Sequence, residues 1–159
     1  PIDILSYSRD TYRQNIVEEF IELDKSLSQI VGAPLGSSWY HIGGIRKRQQ
    51  AGEVIAWTDI YILPQFASLT KDPEHTQVMV YEQIEEKYGA RIERAEVDVY
   101  ASQAPPEIAE KLHLKPETAC LVIIRRYFDV QDKLFEVTVT HHPENKYVYS
   151  MEFKASSEV

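Results

Sequence analysis

The chain has 159 residues, 43% of them hydrophobic and 26% charged, an ordinary globular composition with length enough for one domain and one core. Its 25 acidic against 17 basic residues leave a formal net charge of −8, which repels phosphate backbones and argues against nucleic-acid binding by this chain alone. Apolar runs such as 119–124 are strand-sized, no membrane span or signal peptide is expected, and a single cysteine, Cys120, excludes an internal disulfide and fits a reducing, cytoplasmic compartment.

Along the chain, Ser6 and Ser8 are placed to cap a helix starting at Arg9 or Asp10. Ile16, Val17, Phe20, Ile21 and Leu27 have helical spacing, yet the β-branched residues and neighbouring glutamates equally fit a strand ending near Leu23; periodicity does not arbitrate. Trp39–Gln49 and Val54–Leu63 read as a hairpin around Ala51-Gly52-Glu53. Gln77–Tyr88 puts Val78, Tyr81, Ile84 and Tyr88 on one helical stripe, closed by Gly89. A strand is expected over Arg91–Ala101 and a short helix over Pro105–Leu112, with both prolines in its first turn. Ala119–Val130 and Leu134–His142 form a second hairpin around 131–133, and Tyr147–Phe153 reads as a last strand. Hairpins with separate short helices predict an α+β domain built on an antiparallel sheet with peripheral helices, and no linker divides residues 1–159.

Two places could carry chemistry. On a strand, Arg46 and Arg48 point the same way, about 7 Å apart, and two guanidiniums on one face can grip a carboxylate or phosphate. A three-residue loop, 51–53, would pair Arg48 with Ala56 and Arg46 with Thr58; a two-residue loop would pair Arg46 with Trp57. The first is favoured because it sends Trp57, Tyr61 and Leu63 to the opposite, core face. The second place is the strand whose one face carries Phe135, Val137 and Val139 and whose other carries Glu136, Thr138, Thr140 and His142, the lining of a cavity if the sheet closes over one. Adjacent His141 and His142 face apart, and no paired cysteines or spaced histidines suggest a metal; no cofactor is expected.

Several motifs carry a resemblance. Trp39-Tyr40, Gly44-Ile45-Arg46-Lys47-Arg48 and Trp57-Thr58-Asp59-Ile60-Tyr61 resemble the first hairpin of UTRA domains, the ligand-sensing domains of GntR-type transcription regulators of the HutC subfamily. Tyr81, Ile84 and Tyr88-Gly89, the stretch from Ala104 through Pro116-Glu117-Thr118 to Phe128, and Phe135-Glu136-Val137 with His142-Pro143 and Lys146-Tyr147 continue it over nearly the whole chain.

The resemblance implies a chorismate lyase-like fold, a strand over 16–23, a homodimer, and operator DNA bound only through an N-terminal winged helix-turn-helix upstream of Pro1. It implies effector binding by Arg46, Arg48, Thr58, Glu136, His142 and Ser6. Thr58 replaces a family glutamate, His142-Pro143 a tyrosine and arginine, and Thr76-Gln77-Val78 offers no clear hydroxyl pair, so a small anionic or carboxylate metabolite is expected rather than a sugar phosphate. The alternative on the same fold is a chorismate lyase-like pyruvate-lyase enzyme.

Overall fold

The computed structural model describes residues 10–156; Ser6, Ser8 and the helix cap expected of them lie outside these. Among the described residues six strands form one antiparallel sheet: β1 (Thr11–Glu22), β2 (Ser38–Arg48), β3 (Val54–Ile62), β4 (Arg94–Gln103), β5 (Ala119–Phe128) and β6 (Leu134–Pro143), in the spatial order β1-β2-β3-β6-β5-β4. The open segment is strand as far as Glu22, and Asp10 is helical, directly before Thr11, which pairs with Arg48 of β2.

Among the described residues three complete helices accompany the sheet: α1 (Lys25–Val31), α2 (Val80–Tyr88) and α3 (Pro106–Lys111), with 3-10 turns over Pro64–Lys71 and His75–Gln77. The sequence reading places no separate helix at α1, although its signals are present: the Asp24 carboxylate accepts from Leu27 N at 2.8 Å, and Gly32 ends the helix at φ 80. Helix α2 starts at Val80 rather than Gln77 and ends at Gly89 as expected. Pro105 stands at the position just before α3 without a side-chain cap, and Pro106 sits in its first turn.

Side chains bury on both faces of the sheet. Ile42, Ile60, Ile62 and Tyr127 pack with Phe66, Leu69, Val80 and Ile84 of the first 3-10 turn and α2. On the opposite face Trp39, Tyr61, Val122, Ile124, Val137 and Val139 pack with Val31 of α1, and Trp57 packs with Ile108 and Leu112 at α3. The sheet is therefore a central layer whose polar residues must find partners or a cavity.

Three expectations need correction. Tyr147–Phe153 is not a strand; it runs without ladder partners among the described residues. Phe135 does not share a face with Val137 and Val139, because a bulge between Leu134 and Glu136 sends it into the cluster with Ile60 and Tyr127. Neither proposed hairpin loop forms. The turn spans residues 49–52, with Ala51 and Gly52 both at positive φ, and a bulge at Ile55 gives Arg46↔Ala56 and Gly44↔Thr58. The register differs by two residues, an even number, so Thr58 keeps the face expected of it.

Candidate functional site

The cavity lies on the α2 side of the sheet. Its floor is built by period-two alternation: Thr58 and Ile60 from β3, Glu136, Thr138, Thr140 and His142 from β6, and Arg125 and Tyr127 from β5. Arg13 and Arg46 enter from β1 and β2, Met79, Val80 and Tyr81 from the start of α2, and Tyr147 from the C-terminal stretch. The space open to the centre of a water molecule is about 40 Å³, room for a small polar group and little more.

Four of the six residues expected at the site therefore converge: Arg46, Thr58, Glu136 and His142. Thr58 and Thr140 are cross-strand partners whose hydroxyls hydrogen-bond at 3.1 Å. Arg48 does not join them. It is exposed beyond the cavity, where its Nε donates to Glu53 Oε2 at 3.0 Å. Ser6 lies outside the described residues.

The cation that alternation alone could not find is Arg13. Ahead of the bulge between Asn15 and Val17, Arg13 pairs with Arg46; beyond it, Glu18 pairs with Ile42. The extra residue reverses the parity of β1, so an odd-numbered arginine lands on the face of the even-numbered residues that follow. Gly44 makes room: a Cβ there would meet Arg13 Cγ at 2.9 Å and Gln14 O at 2.7 Å. Arg125, in contrast, was legible, because Leu121, Ile123, Arg125 and Tyr127 alternate against the buried Cys120, Val122 and Ile124.

Arg13 is 1% exposed. Its Nε donates to Asn15 Oδ1 at 2.6 Å and its Nη2 to His75 Nε2 at 3.0 Å. Since Nε2 accepts, His75 is neutral and donates from Nδ1 to Gln83 Oε1 at 2.8 Å, which ties β1 to α2. Burial, then the Arg13 charge, lowers the His75 pKa and keeps it so. Arg13 Nη1 and Glu136 Oε1 are buried and have no hydrogen-bond partner among the described residues.

Electrostatically the cavity opposes the rest of the chain. Three arginines and the uncapped amino-terminal turn of α2, the positive end of its dipole, face one carboxyl group. Burial raises the pKa of Glu136 to about 8, with Arg13 pulling it back down, so the group is mostly protonated at neutral pH. His142 stacks on Tyr147 with ring centroids 4.1 Å apart. Burial, then Arg125, His141 and Arg46, lowers its pKa to about 3, and it is neutral. With Glu136 protonated and His142 uncharged, the fixed charge inside the cavity is positive. It can hold an anion, with the two threonines and Glu136 offering hydroxyl-type partners beside it. No group of three or more histidine, cysteine or acidic side chains capable of holding a metal occurs among the described residues.

Known proteins share this architecture. The structure superposes on PhnF from Mycobacterium smegmatis with a TM-score of 0.77 at 14% identity, covering 92% of this chain and 64% of that one. The ligand-binding domain of a putative GntR-family transcriptional regulator from Bordetella bronchiseptica gives 0.75 at 16%, over 92% and 90% of the two chains. A GntR-family regulator from Enterococcus faecalis gives 0.74 at 20%, over 89% and 99%. These likenesses establish the α+β, chorismate lyase-like fold. In sequence, the chain is 29% identical over 112 residues to the HTH-type transcriptional regulator Rv0792c of Mycobacterium tuberculosis, a match covering 67% of this chain and 41% of that protein. The UTRA domain model matches residues 6–148, and the chain belongs to that family.

Proposed function

We propose that this chain is the effector-binding and dimerisation domain of a cytoplasmic GntR-type transcription regulator, and not an enzyme. A small anionic metabolite binds the arginine-lined cavity and alters DNA binding by an N-terminal domain of the full-length protein. The observation that carries the reading is the buried pair of Arg13 Nη1 and Glu136 Oε1, both without partners among the described residues, in a cavity with a positive balance. Buried polar atoms are satisfied in nearly all native proteins, and a ligand oxygen between these groups would complete them. Regulator domains on the same fold, and a regulator as the curated relative, support this over pyruvate-lyase chemistry. The HutC subfamily resemblance leaves the effector open, and a carboxylate suits the small cavity and the threonine at position 58.

The test is a thermal-shift and calorimetric screen of the chain with small carboxylates, their phosphate analogues and their neutral amides. Carboxylates should raise the melting temperature, because a ligand that binds only the native state stabilises it, and the amides should not. Equal binding of acid and amide, or no stabilisation by any anion that the Arg13→Met variant abolishes, would overturn the reading. The −8 chain itself should leave duplex DNA unshifted at ordinary salt.

A further inference from the structure

The floor of the cavity has two ends. Along it β6 sets His142, Thr140, Thr138 and Glu136 in turn. Arg46 belongs to the His142 end, since it opposes Ala56, and the next residue, Trp57, opposes His141. Arg125 opposes Thr138 midway, and Tyr127 opposes Glu136 at the far end. Electrostatics divide the same way: Arg125 and Arg46 both act on His142, while Arg13 is the charge acting on Glu136.

Glu136 is 1% exposed, its Oε1 has no hydrogen-bond partner, and it forms no ion pair among the described residues. An ionised carboxylate so enclosed needs a cation in direct contact. A protonated one does not, and it presents both an O–H donor and a carbonyl acceptor. Around it stand Arg13 from β1, Arg46 from β2, Arg125 and Tyr127 from β5 and Tyr81 from α2, with His142 and Tyr147 toward the other end. Burial pushes Tyr81 and Tyr127 upward, so both stay neutral, and His142 is uncharged. Among the described residues no second acid lines the cavity.

We propose that Glu136 sets the specificity of the cavity, selecting a short carboxylate with an uncharged oxygen on the carbon beside it, a 2-hydroxy or 2-oxo acid, and rejecting the 2-amino acid of the same skeleton. This rests on the effector reading above and names the class of effector. The ligand carboxylate lies among Arg46, Arg125 and the threonine hydroxyls, and its second oxygen faces Glu136, which donates an O–H to it. The free volume of about 40 Å³ keeps the two groups on adjacent carbons. An ammonium in that place would meet three guanidiniums, and it would gain a counter-ion only if Glu136 gave up its proton in a buried site.

Calorimetric titration of the chain with propionate, lactate, pyruvate and alanine compares acids of one skeleton. At pH 6.5 lactate and pyruvate should bind about tenfold more tightly than propionate, the worth of one hydrogen bond in a buried site, and alanine more weakly than propionate. At pH 9, above the Glu136 pKa of about 8, the carboxylate can only accept. Pyruvate should then fall back to propionate, lactate should keep its lead by donating its hydroxyl, and alanine should gain on both. Glu136→Gln keeps an N–H donor and does not titrate, so its order at pH 9 should match that at pH 6.5. Glu136→Leu should bind lactate and propionate alike. Equal binding of lactate and propionate by the wild type, or alanine binding as well as lactate at pH 6.5, overturns the proposal and leaves the effector reading standing. A lead for lactate that survives Glu136→Leu overturns it as well. Should the leucine variant not fold, the glutamine variant decides: an order that shifts with pH as the wild type's does removes Glu136 from the selection. Binding of none of the four at high millimolar concentration sinks the carboxylate reading of the cavity and this proposal with it.

Discussion

Replacing Glu136 by glutamine removes an ionisable group while keeping its shape, and the structure sets both the sign and the size of the effect. Glu136 is 1% exposed, and its pKa rises from an ordinary 4.5 to about 8, chiefly through burial. Below about pH 4 the carboxyl is protonated in folded and unfolded chains alike, and titration of this group contributes nothing to stability. As the pH rises from there, the unfolded chain loses the proton and the folded one does not, so the wild type loses stability up to about pH 8 and the loss then levels off. At about 1.4 kcal/mol for each pH unit the ceiling is about 5 kcal/mol, reduced to the extent that Arg13 and water relax around the charge. Glu136→Gln should therefore match the wild type near pH 4 and exceed it by a few kcal/mol at pH 8. For a domain of this size that is on the order of 10 °C in melting temperature. Thermal melts of both proteins at pH 4, 6 and 8 in one ionic strength check it. A difference that does not grow with pH, or a variant that becomes the less stable at pH 8, would refute the argument that burial dominates over attraction to Arg13.

Other outcomes follow from the same geometry. Arg13→Met should weaken binding of an anionic effector by about 2–5 kcal/mol in calorimetry, the range for removing one partner of a buried charge contact, while Arg48→Met, outside the cavity, should leave it unchanged. Gly44→Ala should cost about 1–3 kcal/mol in denaturant titrations and also weaken effector binding, because its methyl group displaces Arg13; stability lost with full affinity retained would count against that positioning role. On the other face, burial opposes the charge on His41, but hydrogen bonds and charges from Asp59 at 2.8 Å and Glu19 at 3.2 Å outweigh it and raise its pKa above 6.5. That stabilisation is complete below pH 6.5 and disappears as the pH climbs through the raised value, so His41→Gln should narrow its deficit against the wild type between acid and alkaline pH; a constant deficit in melts across that range would contradict the assignment.

How much of this was present in the chain before folding depends on the range of the interaction involved. Alternation with period two is local, so the ladder Glu136, Thr138, Thr140 and His142, the matching Thr58, and Arg125 beside Tyr127 could all be placed on a face from residue types and parity alone. Family motifs over residues 5–153 supplied the sheet architecture and resolved 16–23 as strand, where hydrophobic spacing could not. What sequence left undecided depended on partners distant along the chain. The bulge between Asn15 and Val17 exists only because β1 must pair with β2, and it alone turns Arg13 onto the cavity face. The bulge at Ile55 and the turn at 49–52 moved the hairpin register. Tyr147–Phe153 has the alternation of a strand but finds no edge within its own chain, since β1 and β4 hold the ends of the sheet and neither pairs with it. Local sequence thus determined which face each side chain would take along an unbroken strand. Tertiary structure decided where strands break step, because an extra residue costs nothing in the sequence pattern and reverses every side chain beyond it.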